Sequence, residues 1–312
     1  MRVSSATLYN LLIKYERERS TTLTRKVEEL SSGQSLLYPS DEPVDFARSL
    51  RLTRFSQKLE RLNKNIDVVS SYLDTAESTL ASAVTTLQDG RVKLIQLLNT
   101  GVVTQDEAET LSDYFKELRD YILHLGNEKV GDSYIFGGVK SQSPPFSDDG
   151  TYQGETAETT VPVAPGVELN TNFNGGEYFA VNGVSGKALA VEVMDRIREI
   201  IDSGELSRLQ TDTIDVDLGD GVESVTLLEA YDLALSKMMT YRSIVGTKQQ
   251  VAANLKTQNE SMNLRLKELN SKLTDADYPQ AIAELEKAKT AYEALMATVA
   301  QTKGLSLLNF LK

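Results

Sequence analysis

The sequence contains no cysteine, no tryptophan and a single histidine, His124. The lack of cysteine excludes disulfides, thiol nucleophiles, and zinc or iron–sulfur sites with cysteine ligands. His124 lies beside the apolar stripe of its predicted helix, and no nucleophile motif accompanies it, so it makes no catalytic constellation. We therefore predict that the protein is not an enzyme and has no cofactor.

Long hydrophobic runs are also lacking. No stretch approaches the roughly 20 apolar residues that span a bilayer, and the first residues lack the apolar core and small-residue cleavage site of a secretory signal. The net charge of −12 leaves no basic footprint for nucleic acid. We predict no membrane and no nucleic-acid partner, and a protein that is either soluble or exported without a cleaved signal.

Charge and glycine divide the chain into three parts. Residues 1–140 contain 20 acidic and 18 basic residues, and residues 226–312 contain 9 and 11, so both ends are nearly neutral. Residues 141–225 contain 16 acidic and 4 basic residues and 10 of the 19 glycines. Composition thus changes near 140 and 225, and we expect the acidic middle to face solvent.

Apolar residues recur at alternating spacings of three and four in three long stretches, a pattern typical of packed helices. The first runs from Leu52 to Leu87, with Gly90 in the same frame as a point where the helix is expected to weaken. The second runs from Leu111 to Leu125 and ends at Gly126, and the third runs from Leu227 to Leu273. Lys248 and Asn259 interrupt the third, which we interpret as a register device or a turn of the stripe toward solvent.

The glycine-rich middle reads as short strands and hairpins around one amphipathic helix at residues 188–201. Residues 213–227 predict a hairpin with an Asp-Gly turn. The segment from Asp215 to Gly221 also resembles a calcium loop, but Gly219 stands where a ligand is needed. A hairpin turn is favoured, and calcium binding there stays open.

A joint is predicted near the start, in "LSSGQSLLYPSDEP" from Leu30 to Pro43. Gly33 should end the first helix, and the chain should be extended before Pro39. Ser40 or Asp41 should cap the next helix, with Pro43 in its first turn and Asp45 near its positive end. At the other end of the chain, Asp277 and Pro279 suit the start of a last helix.

The two terminal helices carry thin apolar stripes, so a pair of them should be marginally stable alone. We therefore expect some of their residues to face partners in an assembly. These candidate interface residues are Leu8, Leu11, Tyr15, Leu305, Leu308, Phe310 and Leu311. The alternative is that they pack within one chain as the end of an ordinary bundle.

The predicted fold is mainly α, a long antiparallel helical rod built from both chain ends with a small inserted α+β domain. We predict three domains. They are terminal helices at 1–40 plus 275–312, a rod at 41–140 plus 225–274, and an inserted β-rich domain at 141–224.

Four stretches resemble the flagellin superfamily, and within it the hook-associated proteins of the hook–filament junction. They are "MRVSSATLY", "LSSGQSLLYPSDEPVDFAR", "GDSYIFGGVKSQSPPF" and "DADYPQAIAELEKAKTAYEALMATVAQTKGLSLLNFL". The resemblance is weak in the middle of the chain. It implies an extracellular structural adaptor of the bacterial flagellum that forms a homopolymeric layer through its terminal helices. The implied partners are further copies of itself, the preceding hook-associated protein, flagellin and a cytoplasmic export chaperone.

The resemblance also implies export through the flagellar type III channel, without a cleavable signal peptide. Two other hypotheses remain. A divergent flagellin would form the filament itself, although flagellins tend to carry Ala or Lys where Pro39 and Ser40 stand. An intracellular coiled-coil binding module would instead form a stable dimer through the long stripes and would not be exported.

Overall fold

The computed structural model describes residues 5–99, 104–219 and 221–310. The fold is mainly α with a small α+β insert, as predicted. The helices are α1 (Ser5–Ser32), α2 (Pro43–Leu98), α3 (Gln105–Gly126), α4 (Gly175–Tyr178), α5 (Leu189–Asp202), α6 (Leu227–Thr274) and α7 (Tyr278–Phe310), with a 3-10 helix at Leu206–Gln210. The strands are β1 (Lys129–Val130), β2 (Ser133–Tyr134), β3 (Thr160–Ala164), β4 (Val167–Asn170), β5 (Thr213–Val216) and β6 (Glu223–Thr226).

The chain forms two compact units. Unit 1 comprises residues 1–59 and 261–312, and unit 2 comprises residues 60–260. Helices α2 and α6 contribute residues to both units. The three-part division predicted from composition stays a prediction.

Unit 2 has an extensive core on the predicted stripes. Helices α2 and α6 run antiparallel there, because Arg242 of α6 bonds Glu77 of α2 at 2.9 Å, and Lys256, further along α6, bonds Asp67 at 2.7 Å. Fully buried side chains of α2, α3 and α6 form the core and include Ile66, Val69, Leu73, Leu80, Leu87, Phe115, Tyr231 and Met238. The third helix of this core, α3, ends at Gly126, as predicted. Its start is fixed by a capping box between Thr104 and Glu107, which the stripe did not indicate.

The expected weakening of α2 at Gly90 does not occur, since the helix continues to Leu98. The Tyr231 hydroxyl of α6 donates a hydrogen bond to the Leu87 carbonyl at 2.9 Å, and it occupies the space in which a Cβ on Gly90 would lie. Gly90 therefore permits close approach of a buried tyrosine, and burial offsets the poor helix propensity of glycine.

The segment between α3 and α6, residues 127–226, is called the insert from here on and is wider than the predicted 141–224. Its described residues form three two-stranded antiparallel pairs, helices α4 and α5 and the 3-10 helix. The β5–β6 hairpin and α5 confirm the predicted hairpin and amphipathic helix. Phe136, Phe173, Tyr178 and Phe179 form an aromatic cluster with ring centroids 5.0–6.2 Å apart around Phe136. The insert therefore has an aromatic core, which the helical and strand spacing of apolar residues in the sequence did not indicate.

Lys248, the polar residue on the third stripe, attaches the insert to α6. Its ammonium donates to the Asn170 side-chain oxygen at 2.7 Å and lies 5.8 Å from the centre of the Phe173 ring. Burial lowers the pKa of Lys248, and the carboxylates of Glu158 and Glu177 act in the opposite direction. Lys248 therefore neither turns the stripe toward solvent nor fixes the register of two helices. It contacts the β3–β4 hairpin, where that hairpin packs against α6.

Candidate assembly interface

Helices α1 and α7 pack against each other in unit 1. They run antiparallel, because Lys26 near the end of α1 pairs with Glu284 near the start of α7 at 2.6 Å. Lys26 also pairs with Glu29 at 2.8 Å. The hydrogen bonds that Lys26 donates to Glu284 and Glu29 raise the pKa of Lys26. Hydrogen bonds from Gln280 and Lys26 lower the pKa of Glu284.

This helix pair buries very little. Among the side chains that the structure describes, α1 has no buried one, and in α7 only Ala281 is buried. Leu11 and Tyr15 are 44% and 45% exposed. Amphipathic helices gain their stability from packing, so the pair has an apolar surface that is not covered within unit 1.

The candidate interface residues predicted from the sequence fall into two groups. Leu11 and Tyr15 lie on the exposed surface of α1. The side chains of Leu8, Leu305, Leu308 and Phe310 lie outside the described residues, as does Leu311 altogether.

Other exposed apolar residues on the same helices were not predicted. Among the described side chains they are Tyr9, Ile13 and Val27 on α1 and Tyr278, Ile282 and Met296 on α7. The sequence could have indicated them, because Tyr9 and Ile13 are one helical turn apart. They form a second apolar line beside the stripe through Leu8, Leu11 and Tyr15, so the apolar surface of α1 is wider than that stripe.

Backbone hydrogen bonds join the segment that follows α1 to the segment that precedes α7. Helix α1 ends at Ser32, and Gly33 follows with a φ of +69°, a conformation that glycine adopts readily. Gln34 forms an antiparallel bridge with Asp275. The Ser35 amide donates to the Thr274 carbonyl at 2.8 Å, and the Ala276 amide donates to the Gly33 carbonyl at 2.9 Å. The two predicted breakers therefore form one joint, which neither breaker indicates by itself.

The rest of the joint is a β-turn from Tyr38 to Asp41, with Pro39 in its second position and the Asp41 amide bonded to the Tyr38 carbonyl at 3.1 Å. Helix α2 begins at Pro43, which confirms the predicted first-turn proline. The predicted cap by Ser40 or Asp41 is wrong. Glu42 directly precedes the helix, and the Asp41 carboxylate accepts from the Tyr38 amide and pairs with Arg25.

His124 is an exposed residue in the last turn of α3. In the calcium-like segment, the Asp217 carboxylate accepts from the Gly219 amide at 2.9 Å, as in a turn, while Asp220 lies outside the described residues. Within the described ranges, no three His, Asp or Glu side chains are grouped so that they could hold a metal ion, and no helix is long and apolar enough to cross a membrane.

Similarity to known proteins agrees with this architecture. Residues 3–141 match the family model of the bacterial flagellin N-terminal helical region. Over the full length of both chains, the sequence is 23% identical to flagellar hook-associated protein 3 of Escherichia coli K12. The chain is thus flagellin-like and resembles flagellar hook-associated protein 3. This confirms the resemblance predicted from the terminal motifs.

Solved structures show that the fold is shared. FlgL from Bacillus cereus matches with a TM-score of 0.58 and 21% identity, over 70% of this chain and 98% of that one. FlgL from Xanthomonas campestris matches with a TM-score of 0.58 and 17% identity, over 70% and 99%. Each solved chain is covered almost entirely, so the flagellin-like chain contains the whole of both folds.

Proposed function

We propose that this flagellin-like chain is a structural adaptor of the bacterial flagellum that joins the hook-associated region to the flagellin filament. The observation that carries the proposal is the end-to-end similarity to flagellar hook-associated protein 3. The terminal motifs, including Pro39 and Ser40 where flagellins tend to differ, favour an adaptor over a filament subunit. The role is structural and not enzymatic.

The adaptor polymerises as a layer through α1 and α7. The exposed apolar residues of these helices, including Leu11 and Tyr15, support this. Ala281 is the one buried residue among the described side chains of the pair, so its apolar surface is available for neighbouring subunits. Its partners are further copies of itself, the preceding hook-associated protein and flagellin. A cytoplasmic chaperone holds it before export through the flagellar channel, and it is extracellular in the assembled flagellum.

Deletion of the gene tests the adaptor role. Electron microscopy should show hooks without filaments, and the culture medium should contain unpolymerised flagellin. Hooks without filaments and without flagellin in cells or medium would instead identify the filament subunit. Normal filaments, in a strain without a second gene copy, would reject both flagellar roles.

Complementation of the deletion strain tests the terminal helices. Leu11→Asp should fail to restore filaments, because it places a charge on the exposed apolar surface of α1. Val68→Asp is the matched control, since Val68 is a comparably exposed apolar residue of α2 in unit 2. Restoration of filaments by both variants would contradict polymerisation through α1.

A further inference from the structure

The β3–β4 hairpin, residues 160–170, lies across the apolar seam between α2 and α6, and we name it the strap. Its first strand contacts α2, because the Asn65 side-chain amide donates to the Pro162 carbonyl at 2.8 Å. Its second strand contacts α6, because the Lys248 ammonium donates to the Asn170 side-chain oxygen at 2.7 Å. The strap therefore ties the two long helices of unit 2 to each other.

The insert holds the strap in place. Val163 and Leu169 of the strap are buried in the core of unit 2. The Glu158 carboxylate accepts from the Asn170 side-chain amide at 2.5 Å and from the Asn174 backbone amide at 3.0 Å. Asn170 thus bridges the ammonium on α6 and a carboxylate of the insert, so the contact with Lys248 has support on both sides.

Two asparagines lie in the helix pair next to the strap, and we name them the asparagine layer. Asn63 stands two residues before Asn65 on α2, and Asn259 interrupts the apolar stripe of α6. Asn259 is 7% exposed, so it does not turn the stripe toward solvent. Its amide is instead part of the interior of unit 2, where polar atoms need partners.

The register of the helix pair places the two asparagines at the same level. Asp67 of α2 accepts from Lys256 of α6 at 2.7 Å. Because the helices are antiparallel, four residues back along α2 and three residues forward along α6 end within about 1.5 Å of each other along the axis. These positions are Asn63 and Asn259. Yet the buried Asn63 Oδ1 and Asn259 Nδ2 have no hydrogen-bond partner among the described residues, which disfavours the closed helix pair.

The helix pair is covered unequally on the two sides of the asparagine layer. On the strap side, Val69 and Ala252 are at most 1% exposed. On the other side, Phe55, Met262 and Leu269 of the same stripes are 42%, 38% and 50% exposed. Separation of the helices on that side therefore exposes less new apolar surface per residue than separation beneath the strap.

We infer that the strap and the asparagine layer form a stop that limits how far the α2–α6 pair opens. Opening that starts where α2 begins and α6 ends runs inward to the layer, where two buried polar atoms gain water as a partner. The next step inward must break the strap contact of Asn65 and expose the fully buried Ile66, so the free energy of opening rises sharply there. Residues 43–62 and 260–274 thus open as one cooperative segment while the core beneath the strap stays folded. The stop lies outside the proposed polymerisation, because it acts within one chain.

Hydrogen exchange of the purified full-length monomer, measured by mass spectrometry, tests the stop. The backbone amides of residues 43–62 and 260–274 should exchange together, at least about tenfold faster than those of residues 66–80 and 240–256. The rates should change in one step at the asparagine layer, because the amides on each side share one opening reaction.

Replacement of the asparagine layer is the second measurement. Asn63→Leu with Asn259→Leu removes the unpaired polar atoms and should slow exchange in the segment outside the strap about tenfold. Gln57→Leu with Asn254→Leu is the matched control, because it makes the same number of amide-to-leucine changes at exposed positions of the same helices. The control should slow exchange less than about threefold, by the gain in helix propensity.

Release of the strap is the third measurement. Asn65→Ala with Lys248→Ala removes the side chains that bond the strap to the two helices. The amides of residues 66–75 should then exchange about tenfold faster, because the stop has moved inward. Residues 80–94 of α2 lie beyond the strap and should keep their rates, which separates release of the strap from a general loss of stability.

Three results would overturn the inference. They are a gradual change of exchange rate along α2 without a step, equal slowing by the layer variant and its control, and unchanged or uniformly faster exchange of α2 in the strap variant. None of them bears on the adaptor role, which the deletion strain tests independently.

Discussion

Units 1 and 2 share the same three-and-four spacing of apolar residues on α2 and α6, but these residues are buried in unit 2 and partly exposed in unit 1. In unit 2 the seam of α2 and α6 is buried under α3 and the insert, and residues such as Leu73 and Leu80 are fully buried. In unit 1 the same spacing of apolar residues leaves Phe55 and Leu269 about half exposed. An apolar stripe therefore predicts that a helix packs against something, but not whether that partner belongs to the same chain.

The largest difference between the units should be in local stability. Limited trypsin digestion of the purified monomer should remove about residues 1–40 and 275–312 first and leave the remainder intact. Terminal helices that bury few side chains open at low free energy, whereas a buried core opens near the global free energy of unfolding. Fragment masses followed over time measure this order.

The digestion has an internal control, because unit 2 contains 16 lysines and arginines of its own. Survival of unit 2 can thus not be due to a lack of cleavage sites. Terminal helices that resist digestion as long as unit 2 would contradict the comparison and would favour the alternative of an ordinary bundle end.

A matched pair of leucine substitutions should show a smaller difference. Leu80→Ala in unit 2 should lower the free energy of unfolding by about 2–5 kcal/mol, because the side chain is fully buried and its removal leaves a cavity. Leu11→Ala in unit 1 should change it by less than about 0.5 kcal/mol, as expected for an exposed position. Urea unfolding followed by circular dichroism compares the two.

The interpretation of the leucine pair depends on which unit unfolds in the measured transition. If the units unfold separately, Leu80→Ala should shift one transition and leave the other in place. Similar losses for both substitutions would mean that Leu11 is covered in solution, for example by self-association, and a dependence on protein concentration would identify that case.

Much of this fold follows from local patterns. The stripe from Leu227 to Leu273 gives α6, Gly126 ends α3, and the alternating residues on either side of the predicted turn give the β5–β6 hairpin. These features depend on residues close in sequence, whose periodicity and backbone preferences are visible in the sequence. The same holds for Gly33 and Pro43 in the joint.

What could not be predicted depends on contacts between residues far apart in sequence. The Gln34–Asp275 bridge joins segments separated by most of the chain. Asp41 does not cap α2, because it lies in a turn and its carboxylate pairs with Arg25. Of the interface, sequence could indicate Leu11 and Tyr15, because they lie on the stripe. The exposure of Phe55 could not be predicted, because it depends on which residues pack over this part of α2 in the folded chain.

Gly90 and Gly246 offer the smallest and most local comparison, within the long helices of unit 2. Gly246→Ala should stabilise the protein by about 0.5–1 kcal/mol, because alanine has the higher helix propensity and a Cβ there meets nothing within 4 Å. Gly90→Ala should instead cost about 1–2 kcal/mol. Its Cβ would displace the Tyr231 hydroxyl from the Leu87 carbonyl, and this outweighs the same gain in propensity.

Thermal unfolding of both glycine variants, alone and combined with Tyr231→Phe, separates the two contributions. Tyr231→Phe removes the hydroxyl that meets the new Cβ, so it should recover about 1 kcal/mol of the loss at Gly90 and leave the effect at Gly246 unchanged. Equal effects of the two glycine substitutions in every background would show that helix propensity alone decides both positions. The close approach of Tyr231 to α2 would then have no energetic role in the core of unit 2.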